Sequence, residues 1–351
     1  MLVTQPNSDQ PILLWHEGAL GDLLLSRLAI AAIRTLFSQK LILCARNEAR
    51  KLFLEAALVD EAYPTHPDLL LSNSFGLVFL FASSPVLIKL FKERFSERLI
   101  CLPTRPRREG HLALEQFFTL IEALQLRNQR TLFKEALGKG KILRKEGRGE
   151  YLLFHPGSGG RWKCAPLPFW LALFEYLKNY GFKVRFILGP AEEDLFQALS
   201  DYKFIFCVDL EQALEAFSQA KGFLGHDSGL THLAAALGRP TLALFGPTAW
   251  DHWSPYGTRV LIIHAPCSCR EKGLDPRQCQ EGCLARLNPK EISVYAQRFF
   301  STTATSVRRS EELLERQEET LFAKGIPLGP NSEWCLRYFG LVVEEEVVVG
   351  G

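Results

Sequence analysis

Residues 223–247 have the sequence FLGHDSGLTHLAAALGRPTLALFGP, and this stretch decides the fold. An apolar run ends at Gly225, the polar turn 226–228 follows, and a helix-forming segment then continues to Leu237. A second apolar run occupies residues 241–245. Strand, helix and strand in this order predict a β-α-β unit in a parallel sheet.

The same alternation continues along most of the chain, which predicts the α/β class with doubly wound sheets covered by helices on both faces. The further predicted strands are 12–15, 41–44, 77–81, 151–154 and 184–188, and the clearest further helices are 23–37 and 112–124.

A chain of 351 residues is long enough for two such domains. A glycine-rich and charged stretch, 134–150, is typical of a connector between them. We therefore place the first domain at residues 1–145, the second at 146–300, and a C-terminal extension of unassigned role at 301–351.

Composition excludes several classes of protein. The hydrophobic share of 47% is typical of a folded globular protein rather than a disordered chain. With 41 basic against 39 acidic residues the net charge is +2, which argues against a nucleic-acid partner. We find no apolar stretch of the ~18 to 20 residues that a bilayer requires and no secretory signal, so we expect a cytoplasmic location.

Three polar segments lie at predicted strand-to-helix turns, the edge of an open α/β sheet at which ligands bind. In the segment 227–232, the hydroxyl of Ser228 and the amide groups of Gly229 and Leu230 stand at a helix start, where they suit phosphate oxygens. The alternative is that Asp227 or Ser228 only caps the helix.

The second segment, 155–163, places Lys163 shortly after a glycine-rich turn. Lys163 is a candidate for neutralising a phosphate and Ser158 for donating a hydrogen bond to it, whereas the alternative is a solvent-exposed lysine. Trp162 stands where the dinucleotide fingerprint needs a glycine, and the chain has no P-loop. Both facts argue against a nicotinamide dehydrogenase or a P-loop ATPase.

The third segment contains Gly18, Gly21 and Asp22. The glycines allow close approach of a substrate, and Asp22 is a candidate general base. The alternative is that Asp22 only caps its helix.

The cysteines at 267, 269, 279 and 283 have the pattern C-x-C-x9-C-x3-C, which matches no standard zinc motif. We weigh a structural metal against free or disulfide-linked cysteines in a surface loop, favour the cysteines in a loop, and assign no metal ligand.

Taken together, the motifs at 18–26, 155–163 and 225–248 resemble, in order and spacing, those of glycosyltransferase family 9, the heptosyltransferase type. The resemblance implies a GT-B architecture, in which two Rossmann-like domains face a central cleft, the first binding an acceptor and the second a nucleotide sugar. Arg27 departs from the family pattern, which has a proline there, so we expect acceptor-side differences.

The resemblance also implies inverting transfer of heptose from ADP-heptose to a lipopolysaccharide core acceptor, without a metal ion or cofactor. It implies a cytoplasmic enzyme that works in peripheral contact with the inner face of the inner membrane. Asp22 and Lys163 are the implied catalytic residues. The implied donor-binding residues are Ser158, Gly159, Glu192, Asp227, Ser228, Gly229, Leu230 and His232. The implied acceptor-binding residues are Gly18, Gly21, Arg105, Arg107 and Arg108, although a solvated loop explains the three arginines equally well.

Two alternatives stay open at this point. One is a catalytically silent nucleotide-sugar-binding scaffold or regulator, which the presence of both Asp22 and Lys163 disfavours. The other, a nucleotide-sugar epimerase, is weaker because it needs acid and base groups around one sugar.

Overall fold

A computed structural model of the chain describes residues 10–66, 68, 74–106, 110–127, 129–142, 149–257, 259–279 and 282–301. The chain divides into two compact units. The first comprises residues up to 144 with the short segments Ala236–Gly238 and Asp251–Trp253, and the second comprises the rest from Lys145 onward. The predicted extension lies outside the described residues except for Ser301.

The first unit contains a five-stranded parallel sheet in the order β3-β2-β1-β4-β5. In register, Leu13 lies between Ile42 and Val78. The central strands are buried along their whole length, as a sheet covered on both faces requires. The strands are β1 (Ile12–His16), β2 (Leu41–Ala45), β3 (Glu61–Tyr63), β4 (Leu77–Phe81) and β5 (Leu99–Leu102).

The helices of this unit are α1 (Leu20–Leu25), α2 (Arg27–Leu36), α3 (Arg50–Glu55), α4 (Pro85–Phe95), α5 (Leu112–Ala123) and α6 (Gln129–Lys139). The single helix predicted over 23–37 is therefore wrong, because the structure has two helices that meet at Ser26. The Ser26 hydroxyl donates to the carbonyl of Asp22 at 3.0 Å. A serine that bonds to a carbonyl four residues back competes with the regular helix at this point.

The second unit contains a six-stranded parallel sheet in the order β11-β10-β9-β6-β7-β8. Numbered from its own first strand, this is the 3-2-1-4-5-6 order of a dinucleotide-binding fold, and the order reverses between β6 and β9. The strands are β6 (Tyr151–His155), β7 (Lys183–Leu188), β8 (Phe204–Phe206), β9 (Ala220–His226), β10 (Thr241–Phe245) and β11 (Val260–His264).

The core of this unit is built around Trp170, which is fully buried. Its ring meets those of Phe154 and Phe169 edge to face. The α-helices from residue 151 onward are α7 (Leu167–Asn179), α8 (Leu210–Ser218), α9 (Gly229–Ala236), α10 (Trp250–Trp253), α11 (Ser268–Glu271) and α12 (Pro289–Ser301). Among the residues that the structure describes, no helix combines the length and apolar composition needed to cross a bilayer.

Arg27, the departure from the family pattern, is buried at the start of α2. Its guanidinium donates to the carbonyl of Gly140 at 3.2 Å and to that of Leu24 at 3.1 Å. Arg27 therefore ties α2 to the chain that follows α6.

We expect Arg27→Ala to destabilise the first unit by about 2 to 4 kcal/mol, because it removes charge-assisted hydrogen bonds and leaves buried carbonyls without these donors. Urea unfolding followed by circular dichroism measures the change. Arg46→Ala is the control, since Arg46 is exposed in the same unit. Equal unfolding midpoints for the two variants would contradict this role of Arg27.

Candidate functional site

The predicted site residues that the structure describes lie near the carboxyl ends of strands in the two sheets. In the first unit they follow β1 and β5, and in the second unit they follow β6, β7 and β9. Ligands of open α/β sheets bind at this edge, at the point where the strand order reverses.

In the first unit, Asp22 is the third residue of α1 and is half-buried. Its Oδ2 atom accepts a hydrogen bond from the amide of Ala19 at 2.9 Å, so the carboxylate does cap the helix. Gly18 is required here, since a Cβ at this position would lie 2.5 Å from the Cβ of Asp22 and 2.6 Å from Cε1 of His16. Gly21 is half-buried in the same helical turn.

His16, at the end of β1, positions this turn and was not identified from the sequence. Its buried ring accepts from the amide of Gly18 at Nδ1 (3.1 Å), so Nε2 carries the proton and donates to Ser26 Oγ (3.1 Å). Burial lowers the pKa of His16 to about 3, despite an opposing hydrogen-bond contribution from Asp22. The only sequence signal was a polar residue at the end of an apolar strand.

Arg105 is exposed just after β5. The neighbouring Thr104 is hydrogen-bonded through its hydroxyl to Ser83, which follows β4, at 2.8 Å. Arg105 thus stands at the carboxyl edge of the first sheet. Arg107 and Arg108 lie outside the described residues.

In the second unit, Lys163 donates to Asp227 Oδ2 at 3.0 Å. The Lys163 side chain is only 18% exposed, so the alternative of a solvent-exposed lysine is wrong. Burial by itself would raise the pKa of Asp227, but the hydrogen bond from His232 and the charge of Lys163 outweigh it and lower the pKa to about 2. Asp227 is therefore a buried carboxylate that holds Lys163 in place.

The loops after β6 and β9 are joined by side-chain hydroxyls. Ser158 donates to the main-chain carbonyl of Asp227 at 2.6 Å. The Ser228 hydroxyl lies 3.3 Å from Nδ1 of His155 and also accepts from the amide of Thr231 at 3.4 Å, as an N-cap does. In this structure both serines contact protein atoms at the switch point.

Glu192 lies on the other side of His155. Its Oε2 atom is 3.5 Å from His155 Nε2 and accepts from the amide of Gly189 at 2.9 Å. Burial raises the pKa of Glu192, yet these bonds and the charge of His155 lower it overall. A Cβ on Gly157 would overlap this carboxylate, so a glycine is needed to admit it.

His226, at the end of β9, is the second residue that sequence reasoning missed. Its buried Nε2 accepts from the amide of Ala165 at 2.8 Å, and its Nδ1 therefore donates to the carbonyl of Gly157 at 3.3 Å. Burial lowers its pKa to about 3, against the raising effect of the Gly157 bond. His226 thus fixes both ends of the loop that carries Ser158 and Lys163.

Helix α9 begins at Gly229, and both Gly229 and Leu230 are half-buried. The first amide groups of a helix have no acceptor within it, so they are available to an anion. His232 is buried one turn further on, and in the described part of the chain its Nδ1 atom has no hydrogen-bond partner. Gly159 is exposed on the loop after β6.

The cysteines are not in a surface loop, which corrects that prediction. Cys267, Cys269 and Cys283 are buried, and Cys279 is half-buried. The Sγ atoms of Cys267, Cys279 and Cys283 all lie within 4.8 Å of one another. The segment folds back so that distant positions in it meet.

The buried histidines predict acid sensitivity. His16 and His226 stay neutral in the folded state, whereas in the unfolded state they become protonated below pH 6.5. The free energy of unfolding is therefore highest above pH 6.5 and decreases as the pH falls towards 3. Between pH 6.5 and 4.5 the loss is on the order of 2 kcal/mol for each histidine.

Urea unfolding at a series of pH values measures how steeply the free energy of unfolding depends on pH. His226→Gln is expected to make this slope shallower. His66→Gln is the control because His66 is exposed. An unchanged slope in His226→Gln would show that its imidazole is not buried in the neutral form.

The chain is similar in sequence to known glycosyltransferases. The family model of glycosyltransferase family 9 (heptosyltransferase) matches residues 106–283, which is just over half of the chain. Lipopolysaccharide heptosyltransferase 1 of Pseudomonas aeruginosa is 31% identical over 163 residues, covering 41% of this chain and 46% of the relative. Lipooligosaccharide heptosyltransferase 2 of Haemophilus influenzae is 32% identical over 117 residues, covering 30% and 33% respectively. The chain thus matches less than half the length of these curated relatives.

Solved structures share the fold at low sequence identity. The glycosyl transferase family 9 protein of Veillonella parvula has a TM-score of 0.68 at 14% identity, covering 86% of this chain and 100% of its own. The ADP-heptose lipopolysaccharide heptosyltransferase II of Escherichia coli has a TM-score of 0.61 at 17% identity, covering 83% and 98%. These similarities and the two parallel-sheet units confirm the predicted GT-B fold class. The matched family model, with the motifs at the carboxyl edges of both sheets, shows that the chain belongs to glycosyltransferase family 9.

Proposed function

We propose that this protein is an inverting glycosyltransferase that moves a heptose from ADP-heptose to a lipopolysaccharide core acceptor. The observation that carries the proposal is the Lys163–Asp227 ion pair beside the start of α9, at the switch point of the second sheet. The heptose and the acceptor are inferred from the curated relatives, which are lipopolysaccharide and lipooligosaccharide heptosyltransferases. The ADP group is inferred from the Escherichia coli structure, which is an ADP-heptose lipopolysaccharide heptosyltransferase.

The donor diphosphate is assigned to the second unit. Lys163 has three N–H donors, so it can keep its bond to Asp227 and still contact a phosphate oxygen. The amide groups of Gly229 and Leu230 add the positive end of the α9 dipole. Together these groups stabilise the negative charge that develops on the departing diphosphate, and in this proposal no metal ion is needed for that task.

The remaining donor contacts are assigned to buried polar atoms around this edge. His232 Nδ1 and Thr248 Oγ1 are buried, and the described residues offer neither a hydrogen-bond partner. Such atoms are costly unless a ligand or water satisfies them, which supports a polar ligand here. Glu192 is held as an anion beside Gly189, and we assign it to contact the nucleoside hydroxyls. Gly159 is assigned to the donor-binding loop after β6. Ser158 and Ser228 hold the two loops together around it.

The acceptor is assigned to the first unit, with Asp22 as general base. Asp22 takes the proton from the acceptor hydroxyl as that oxygen forms a bond to the anomeric carbon of the heptose. The bond from that carbon to the diphosphate breaks at the same time, so ADP leaves with the bonding electron pair and the configuration inverts. Gly18 and Gly21 keep the backbone close to the acceptor, while Arg105 is assigned to its acidic groups, as are Arg107 and Arg108.

A peripheral contact with the inner face of the inner membrane belongs to the same proposal, with the enzyme in the cytoplasm. Helix α4 supports it, since Val86 and Leu90 are 79% and 53% exposed. Lys89, Lys92 and Arg94 are exposed on the same helix. Apolar side chains next to cations are typical of surfaces that bind anionic lipid.

We expect the wild-type protein to release ADP from ADP-heptose only when a truncated lipopolysaccharide core acceptor is present, with no comparable release from UDP- or GDP-sugars and no dependence on added Mg²⁺ or Mn²⁺. Asp22→Asn should lower turnover by about 100-fold or more, because an amide cannot take the proton. Its thermal midpoint should stay close to wild type, since the amide oxygen can still accept from Ala19. Coupled detection of the released nucleotide diphosphate measures the rate.

Donor binding without turnover in the wild-type protein would instead support a silent scaffold. Full turnover by Asp22→Asn would show that Asp22 only caps its helix and is not the general base.

Lys163→Met tests the diphosphate site. It removes the cation and leaves Asp227 buried without it, so we expect the dissociation constant for ADP to rise by about 10- to 100-fold, as measured by calorimetry. Lys183→Met is the matched control. Lys183 is an exposed lysine at the amino end of β7, where it pairs with Glu150, and its loss should leave ADP binding unchanged. Equal affinity of the two variants for ADP would show that Lys163 does not contact the diphosphate.

A further inference from the structure

The cysteines of the segment 267–283 take no part in the proposed reaction. Cys267 follows β11, Cys279 ends a short turn at Pro276–Gln278, and Cys283 begins another at Cys283–Arg286. Three separate pieces of chain thus bring their thiols within 4.8 Å of one another, and the Sγ atoms of Cys267 and Cys279 are 3.7 Å apart.

These spacings fit a metal better than a disulfide. Thiolates about 2.3 Å from a tetrahedral ion are roughly 3.8 Å from each other, whereas a disulfide requires about 2.05 Å. The Cys267–Cys279 separation is close to the tetrahedral value.

The backbone around the cluster is shaped to let the sulfur atoms converge. Gly282, just before Cys283, has a φ of 54°, a conformation that favours glycine. A Cβ on Gly246, after β10, would lie 3.0 Å from Cys283 Sγ, so a side chain there would crowd the cluster. Arg286 donates to the carbonyl of Pro266 at 2.7 Å and closes the segment.

The surroundings suit a soft metal ion. Cys267 and Cys283 belong to an apolar core cluster that includes Ile263, Leu284 and Leu287. Thiolate ligands in such a dry shell select Zn²⁺ or Fe²⁺ over hard cations, which prefer oxygen.

We propose that Cys267, Cys279 and Cys283 bind one Zn²⁺ or Fe²⁺ ion through their thiolates. Each thiol gives up its proton to solvent when the ion binds, and no group changes oxidation state. Cys269, two residues from Cys267 and also buried, or a water molecule, occupies the fourth position.

The role of the ion is structural. The turn Pro276–Gln278, next to Cys279, packs against the turn Arg161–Lys163. An ion that fixes the cysteine segment therefore supports the turn that carries Lys163. The site is independent of the proposed transfer chemistry, and its test does not depend on activity.

The test measures metal in the full-length protein, purified without chelators from medium containing zinc and iron. We expect about one ion of zinc or iron per chain by mass spectrometry of the elements. Cys283→Ser and, at the half-buried position, Cys279→Ser should each lose most of it. Cys101→Ser is the matched control, since Cys101 is half-buried in the first unit, and it should keep the metal.

Cobalt gives a second readout on the wild-type protein alone. Titration of the metal-stripped protein with Co²⁺ should produce a thiolate-to-cobalt charge-transfer band that saturates at about one equivalent, whether or not the variants fold. Zinc and iron below about a tenth of an ion per chain together with no such band would overturn the proposal. So would a Cys267–Cys279 disulfide in the protein as purified.

Discussion

A parallel sheet that is buried on both faces has little room for polar side chains except where its strands end. In both units the central strands are apolar and buried, and the polar groups gather at their carboxyl ends. Where the strand order reverses, the loops after neighbouring strands diverge to opposite faces and leave a crevice. The positions of the candidate site residues that the structure describes follow from this constraint, as does the need for each buried polar atom there to find a partner.

Both units meet that need with a neutral histidine at the end of a central strand. His16 joins β1 to the Gly18 turn and to Ser26, and His226 joins β9 to Gly157 and Ala165. Each ring uses one nitrogen as donor and the other as acceptor, so only the neutral form satisfies both contacts. The histidines thereby hold the loops that carry Asp22 and Lys163 without adding charge next to them.

Charge in the described part of the second unit is arranged around two buried carboxylates, those of Asp227 and Glu192. Asp227 holds Lys163, while Glu192 and His155 form a second polar pair nearby. The turn of Lys163 also rests on the cysteine segment, which is closed by Arg286 and crowded against Gly246. The proposed metal would therefore stabilise the turn that carries Lys163 through packing, and the proposed diphosphate would stabilise it through charge.

The sequence alone was enough to predict the α/β class, most strands, and the motifs at the strand ends, because these depend on local apolar periodicity and turn chemistry. It did not reveal the break at Ser26, the buried contacts of Arg27, or the roles of His16 and His226, since each depends on atoms far along the chain or on the depth of burial. The sequence singled out Lys163, but it did not reveal the buried ion pair of Lys163 with Asp227. Nor did it reveal that Cys267, Cys279 and Cys283 lie together, since their spacing is irregular and they meet only when the chain folds back. Neighbouring residues determine the local secondary structure. The packing of the strands decides which distant groups come into contact, and these contacts set the hydrogen-bond partners and protonation states of the side chains.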